Sequence, residues 1–315
     1  MDIENVCIIG GSGFVGGSIA DNACARGYGV RVVTRSRPRA RALTVLPTCE
    51  IRVADPYDER SLAGCLENVD AVINLVGILH EGGGATFESA HVELPRRIVR
   101  ACRAAGVRQL LHMSALGASA SGPSEYLRSK AAGESAVREA GEALAHTIFR
   151  PSVIFGERDR FLNLFADFAR FFPVIPLGGA RARFQPIWVE DVARCFVAAL
   201  GDKATAGQAY ELCGPRVHTL EEIVRYAAEV VGRHPRIWAL PGGIAQLQAF
   251  VFEHLPGKLV TRDNLRSMSV DNVCAGEFPA IFGFKPSPME AVVPEFLGGE
   301  TTRSRYQQYR HNAGR

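Results

Sequence analysis

The chain has 315 residues, 47% hydrophobic and 22% charged, a composition that excludes collagen, coiled coil and disorder as its main architecture and suits two domains or one domain with a lobe. Its formal charge is +3, but residues 301–315 carry four arginines and no acid, so everything before them is near neutral and shows no nucleic-acid footprint. The eight cysteines are scattered without the spacing of a zinc knuckle or redox pair, so no metal site and no disulfide framework is expected.

The opening Met1-Asp2-Ile3-Glu4 lacks the pattern of a secretory signal, which predicts a cytoplasmic chain whose thiols stay reduced. The longest apolar run, 71–79, is interrupted by Asn74 and falls short of the ~20 residues that a membrane span needs.

In chain order, short β-rich apolar runs at 6–9, 30–34, 51–54, 71–76, 109–113 and 146–149 alternate with helical stretches such as 14–26 and 95–105. Continuous apolar strands joined by crossover helices predict an α/β fold with a doubly wound parallel sheet. Such sheets bind ligands beyond the carboxyl ends of their strands.

Between 149 and 184 the pattern changes. Eight of the 17 phenylalanines fall there, and Phe161, Phe165, Phe168 and Phe172 are spaced to share a helix face, read as core rather than as a quinone or lipid pocket. Residues 187–200 are expected to return to the first domain as a strand and a helix capped by Asp191, and 218–281 reads as mixed helices. The resulting division is a Rossmann-type domain of residues 1–155 and 186–214, a smaller mixed C-terminal lobe of 156–185 and 215–300, and a frayed polar tail at 301–315.

The sequence Gly10-Gly11-Ser12-Gly13-Phe14-Val15-Gly16 follows the first strand and opens the first helix. It satisfies both G-x-G-x-x-G (Gly11, Gly13, Gly16) and G-x-x-G-x-x-G (Gly10, Gly13, Gly16). In either register the glycines allow a tight turn and let backbone N–H groups and a helix N-terminus meet a pyrophosphate. An NAD-selective fold places an acid about 20 residues further on, at the end of the second strand. No acid occurs between Asn22 and Cys49; that strand ends in Arg35, followed by Ser36 and Arg37, which suit the 2′-phosphate of NADP(H) better than the free ribose of NAD(H). Arg31, Arg39 and Arg41 are read as a solvated basic loop. Asp55 can bond the adenine amino group, and Val76-Gly77 offers bare backbone to a nucleotide.

Tyr126 and Lys130 are four residues apart at the start of a predicted helix reaching about residue 140, so they share a face. A phenol with a pKa near ~10 needs a cationic neighbour to act as acid or base near neutrality, and Lys130 is placed to provide it and to hold a nicotinamide ribose. Ser114, ending the fifth strand, can fix a carbonyl or alcohol beside Tyr126.

These motifs, with Asn74-Leu75-Val76-Gly77, Arg150-Pro151-Ser152-Val153-Ile154-Phe155-Gly156 and Pro186-Ile187-Trp188-Val189-Glu190-Asp191, resemble the extended, epimerase-like branch of the short-chain dehydrogenase/reductase superfamily. The resemblance adds Pro151 and Val153 to the expected cofactor contacts. Tyr126-Leu127-Arg128-Ser129-Lys130-Ala131-Ala132-Gly133-Glu134 and Gly156-Glu157-Arg158-Asp159-Arg160-Phe161-Leu162-Asn163 further resemble the NADPH-binding accessory subunits of respiratory complex I and their bacterial relatives.

Two departures stand out. Ser114 and Tyr126 are only twelve residues apart where extended enzymes have about two dozen, and His91 occupies the position where catalytic relatives often carry Asn.

The leading expectation is an NADP-dependent oxidoreductase acting on a carbonyl, alcohol or quinone-like small molecule. The alternative is a non-catalytic NADPH-holding subunit of a membrane-associated respiratory complex, peripheral at the inner membrane face. A sugar-nucleotide epimerase ranks third. Arg158, Arg160, Arg181 and Arg183 could bind a diphosphate but read as easily as surface ion pairs, and no role is assigned to them; an apolar stretch at 247–255 reads as an ordinary lobe helix or an element docking on a membrane or partner.

Overall fold

The computed structural model describes residues 1–254 and 260–298. The polar tail at 301–315 and Leu255 lie outside the described residues. Strand β1 (Asn5–Ile9) leads into helix α1 (Phe14–Ala25), then β2 (Gly29–Thr34), β3 (Cys49–Val53), α2 (Glu59–Cys65) and β4 (Ala71–Asn74). The chain continues through α3 (Leu94–Ala105), β5 (Gln109–Met113), α4 (Glu125–Arg138) and β6 (Ala145–Pro151). A short β7 (Ile154–Phe155), α5 (Leu162–Phe171), β8 (Val174–Leu177) and β9 (Arg183–Phe184) precede β10 (Ile187–Trp188), α6 (Val189–Ala199) and β11 (Ala209–Leu212). The remainder comprises β12 (His218–Thr219), α7 (Leu220–Val230), β13 (Arg236–Ala239), α8 (Gly242–Glu253), α9 (Arg262–Ser267) and α10 (Met289–Leu297).

The main sheet has seven parallel strands in the order β3-β2-β1-β4-β5-β6-β11. Its strand order reverses between β1 and β4, which opens a crevice at their carboxyl ends. Alternate residues of one strand enter opposite layers. Val6 and Ile8 pack with α1 and α6, while Cys7 and Ile9 pack with α2, α3 and α4. Six of these strands match apolar runs in the sequence. The seventh, β11, was not anticipated, since Tyr210 and Glu211 break the apolar pattern at the sheet edge.

A third core joins Phe155, Leu162, Ile175, Leu177, Ile223, Val224, Met289 and Val293, with Phe161, Phe165 and Phe168 packed against it. The phenylalanine stripe therefore divides: these three face the core, whereas Phe171 and Phe172 at the end of α5 are exposed. Residues 218–281 also contain β12 and β13, which pair with β9 and β8, so this region is mixed rather than helical.

Three further expectations are corrected. Asp191 does not cap α6; Trp188 holds that position, and Asp191 is a fully buried carboxylate that accepts the Ser287 N–H at 2.6 Å and pairs with Arg194 at 3.4 Å. Arg31 is no part of a solvated loop, because its guanidinium pairs with Glu50 at 2.8 Å and bonds the carbonyls of Cys65 and Glu67. The thiols are not all reduced: Cys213 and Cys274 form a disulfide across a sequence separation of 61 residues. No local spacing reveals such a pair, because the fold alone brings the two segments together.

Among the described residues, no helix is long and apolar enough to cross a membrane, and no group of three His, Cys, Asp or Glu residues is arranged to hold a metal.

Candidate nucleotide and active site

Between β1 and α1 the chain has four residues in which to reverse direction. Gly10 takes φ +84°, which L side chains rarely adopt, and its carbonyl accepts the Gly13 N–H at 3.0 Å. A Cβ on Gly16 would lie 2.5 Å from the Gly11 Cα and 2.6 Å from the Gly10 oxygen, and one on Gly11 would lie 2.9 Å from Val32. Both glycine registers thus rest on steric need. Gly13 caps α1 without a side-chain hydrogen bond, and the first turn holds no acid. The N–H groups that open the helix at Phe14 and Val15 therefore offer an anion seat at the crevice mouth. Opposite them, a Cβ on Gly10 would come within 3.4 Å of the Val76 nitrogen, so the loop lies against bare backbone after β4.

At the end of β2 the Thr34 hydroxyl is 2.8 Å from the Ser12 hydroxyl and accepts the Ser36 N–H at 3.2 Å. This tie joins the glycine loop to the turn that carries Arg35 and Arg37, both exposed. Among the described residues neither has an ion-pair partner, and no carboxylate occupies the strand end. Asp55 lies two residues beyond β3, exposed, with Oδ1 accepting the Tyr57 N–H at 3.1 Å, so the local turn already uses one carboxylate oxygen.

Deeper in the crevice, β5 and α4 bring Ser114, Tyr126 and Lys130 to one end of the sheet. Ser114 is 3% exposed, and its hydroxyl has no hydrogen-bond partner among the described residues. Such an orphan is costly unless a ligand atom completes it. Lys130 is also buried, and its ammonium donates to the Met113 carbonyl at 3.2 Å. A Cβ on Gly77 would fall 3.1 Å from that nitrogen, so a side chain there would crowd it. Burial lowers the Lys130 pKa to about 8, against the upward pull of Glu134. Burial pushes the Tyr126 phenol up to about 12.

Tyr126 is held from three sides. Ser124 caps α4, accepting the Leu127 N–H at 3.2 Å, and the Asp263 carboxylate of α9 accepts the N–H groups of Glu125 at 2.9 Å and Tyr126 at 3.1 Å. Its ring meets His91 and Phe87 edge-on, at centroid distances of 5.6 and 6.1 Å.

His91 lies in a π-helical turn, Glu88–Glu93, and its Nε2 accepts the Ile78 N–H at 3.0 Å. Nδ1 must then carry the proton, which it donates to the Ser129 hydroxyl at 2.8 Å; Ser129 in turn donates to the Tyr126 carbonyl at 2.8 Å. Burial first, then Lys130 and His112, hold His91 neutral with a pKa of about 2. His112 is likewise held down, to about 3, by burial and Lys130, and its Nδ1 accepts from Asn74 at 3.1 Å. Asp263, Ser129 and His112 were not anticipated as part of this site. Their contacts span 38 to 138 residues in sequence, or depend on helix geometry that no short motif encodes.

Pro151 ends β6 and Val153 follows it, at the carboxyl end of the sheet. The Pro151 carbonyl accepts the Leu116 N–H at 2.9 Å, and Val153 donates to Asn272 at 3.1 Å.

The family model described as the NAD dependent epimerase/dehydratase family matches residues 6–213, from β1 to the end of β11. The chain belongs to this family. Within it, a relative from Arabidopsis thaliana named NADH dehydrogenase [ubiquinone] 1 alpha subcomplex subunit 9, mitochondrial, is 35% identical across 77% of this chain, which spans only 61% of that protein. The Rattus norvegicus protein of the same name is 30% identical over 91% of this chain and 82% of its own length. The ceramide reductase of Caulobacter vibrioides is 33% identical, covering 75% of this chain and 73% of that protein. Among solved structures, MoeE5 in complex with UDP-glucuronic acid and NAD superposes with a TM-score of 0.71 at 17% identity, over 96% of this chain and 99% of that one. A further chain, gox2253, gives 0.72 at 22% identity, covering 97% and 98%. These two share the fold of this family member.

Proposed function

We propose that this chain binds NADP(H) in the crevice between β1 and β4 and reduces a carbonyl, or oxidises the corresponding alcohol, at Ser114, Tyr126 and Lys130. The observation that carries the reading is the buried Ser114 hydroxyl, which has no hydrogen-bond partner among the described residues and lies next in sequence to the Met113 carbonyl that holds Lys130. The residues fit the cofactor: Gly11 and Gly16 leave no room for a Cβ, α1 has an N-terminus without a side-chain cap, and Arg35 stands exposed with no ion-pair partner among the described residues. Arg35, with Ser36 and Arg37, would hold the 2′-phosphate, and Phe14 and Val15 would give backbone N–H groups to the diphosphate. The bound dinucleotide supplies the hydride.

Ser114 would donate a hydrogen bond to the carbonyl oxygen, fixing its distance from Tyr126. Tyr126 would deliver the proton that the oxygen gains on reduction. Lys130 would stabilise the phenolate left behind. The substrate is read as a hydrophobic carbonyl compound or quinone, on the strength of the ceramide reductase similarity and the aromatic neighbours Phe87 and His91.

A second reading is favoured by the relatives named as mitochondrial NADH dehydrogenase subunits: the same nucleotide site serves as a structural element of a respiratory complex, peripheral to the membrane. In the structure, Lys130 is engaged by Met113 and the Tyr126 pKa stands near 12, an arrangement compatible with holding a nucleotide without turnover.

The readings separate by experiment. NADPH is titrated calorimetrically against wild type and Arg35→Ala, and its oxidation is followed with carbonyl and quinone panels for wild type and Tyr126→Phe. The catalytic reading expects NADPH bound more tightly than NADH, with oxidation lost in Tyr126→Phe. Tight NADPH retention without oxidation by any substrate supports the structural reading and sinks the catalytic one.

A further inference from the structure

We propose that helix α8 and the outer face of the β8–β13 pair form one surface that docks on an anionic lipid bilayer. The proposal stands apart from the nucleotide reading and needs no part of it.

Helix α8 is packed the reverse way to an ordinary lobe helix. Its inward positions are small: Ala245 and Ala249 are buried, and Gln248 donates to the Pro176 carbonyl at 3.0 Å. Its large side chains Ile244, Leu247, Phe250 and Val251 are exposed, Leu247 by 62%. The intervals of three and four residues put Ile244, Leu247 and Val251 on one stripe. No charged residue occurs in α8 before Glu253. A helix on the surface of a globular protein buries such a stripe, whereas here the fold leaves it open.

The neighbouring strands repeat the inversion. β8 and β13 run parallel, with Val174 beside Arg236 and Pro176 beside Trp238. Ile175 and Leu177 are buried, whereas Val174, Pro176 and Trp238 are exposed on the alternate face, Trp238 by 58%. Phe171 and Phe172, just before β8, are exposed as well. Close packing of α8 on the segment after β8 makes helix and sheet continuous: a Cβ on Gly178 would lie 3.1 Å from the Ala245 Cβ. Of the fourteen large apolar side chains exposed among the described residues, eight fall on these segments, a concentration that marks an interaction surface rather than ordinary scatter.

Charge selects the occupant. Residues 168–181 and 231–254 contain four arginines and one acid. That acid, Glu253, is paired with Arg262 at 2.8 Å, and Arg170 is taken by Asp167 at 2.7 Å. Arg236 shares the outer face of β13 with Trp238, and Arg233 precedes it; both are exposed, and neither has an ion-pair partner among the described residues. A second copy of the chain would bring the same positive charge to the contact. The segment 301–315, with four arginines and no acid, has that sign too. An anionic bilayer meets all of these features together: the aliphatic stripe enters the acyl boundary, the indole lies among the headgroups and the guanidinium groups meet lipid phosphate.

The test is co-sedimentation of the full chain with vesicles of phosphatidylglycerol and phosphatidylcholine in equal parts, and with vesicles of phosphatidylcholine alone. Binding to the anionic vesicles is expected to be about tenfold tighter or more. Leu247→Gln combined with Val251→Gln, and separately Arg233→Gln combined with Arg236→Gln, should each weaken it about tenfold. Val45→Gln, at an exposed apolar position outside the surface, should leave it unchanged. Tryptophan emission should shift to the blue on the anionic vesicles and cease to do so in Trp238→Phe, which separates contact by this face from attraction through 301–315. All the substituted side chains face solvent, so the variants should melt with the wild type.

Absence of sedimentation with the anionic vesicles overturns the proposal, as does equal binding to the neutral ones. Binding that survives the Leu247 and Val251 changes also overturns it and assigns the attraction to the basic segment 301–315. Concentration-dependent dimerisation that is lost in the same double variant would make a second copy the occupant and overturn the lipid reading.

Discussion

The Glu134 carboxylate is held at both oxygens by the Arg150 guanidinium, with Nε–Oε1 at 2.7 Å and Nη2–Oε2 at 2.5 Å. Glu134 lies on α4 one turn beyond Lys130 and Arg150 lies on β6, so this pair pins the helix that carries Tyr126 and Lys130 to the sheet. It also supplies the negative charge that keeps the Lys130 pKa from falling further. Glu134 is 3% exposed, so its replacement leaves the half-buried Arg150 without its hydrogen-bonded carboxylate, with only the charge of Glu211 acting on it in turn. Glu134→Gln is expected to cost about 2–3 kcal/mol in chemical denaturation and to shift the basic limb of any pH–rate profile downward. An unchanged unfolding midpoint would show that the pair does not hold the helix.

The glycine loop predicts a steric outcome. The backbone around Gly16 leaves no space for a methyl group, since a Cβ would lie 2.5 Å from the Gly11 Cα. Gly16→Ala is expected to lose NADPH binding and about 1–3 kcal/mol of stability, because backbone rather than a mobile side chain must move. Gly27→Ala, whose Cβ meets nothing within 4 Å but whose φ is +87°, provides a strained control outside the crevice. It should lose stability while retaining NADPH affinity.

The disulfide ties the end of β11 to the segment whose Asn272 braces Ser152 and Val153. Cross-linking over 61 residues restricts the unfolded chain, and Cys274→Ser is expected to lower stability by about 2–4 kcal/mol. Adding a reducing agent to wild type should give a similar loss. Identical unfolding curves with and without reductant would show that the bond does not stabilise the protein.

Acid sensitivity follows from the two neutral histidines. His91 and His112 have folded pKa values of about 2 and 3, below the usual 6.5, so the unfolded chain binds more protons as pH drops. Their contribution is complete above pH 6.5 and is lost as pH falls below it, with a slope that reaches about 2.7 kcal/mol per pH unit for two protons. Melting temperature should therefore decline from pH 7 to pH 5, and His91→Asn should flatten that decline. A decline equally steep in the variant would assign the effect to other groups.

Much of this architecture is written in short-range pattern. Apolar runs marked β1, β2, β4, β5 and β6, because a strand covered on both faces needs a continuous stretch of such residues, and the edge strand β3, although largely exposed with Glu50 and Arg52, was still marked by its run at 51–54. The glycine spacing and the four-residue interval from Tyr126 to Lys130 were equally legible, since a tight turn and a helix face are both set by nearest neighbours along the chain. β11 was missed because a strand at the sheet edge is only partly covered and keeps Tyr210 and Glu211.

The sequence by itself determined the fold class, the glycine turn and the Tyr126–Lys130 register, because dihedral preference, periodicity and burial act over a few residues. Only the tertiary structure decided that Ser114 has no hydrogen-bond partner among the described residues, that Asp263 accepts the N–H groups of Glu125 and Tyr126, and that Cys213 meets Cys274. Each of these depends on which distant segments the packed core brings into contact. That is a property of how the layers close on one another and leaves no periodic trace along the chain.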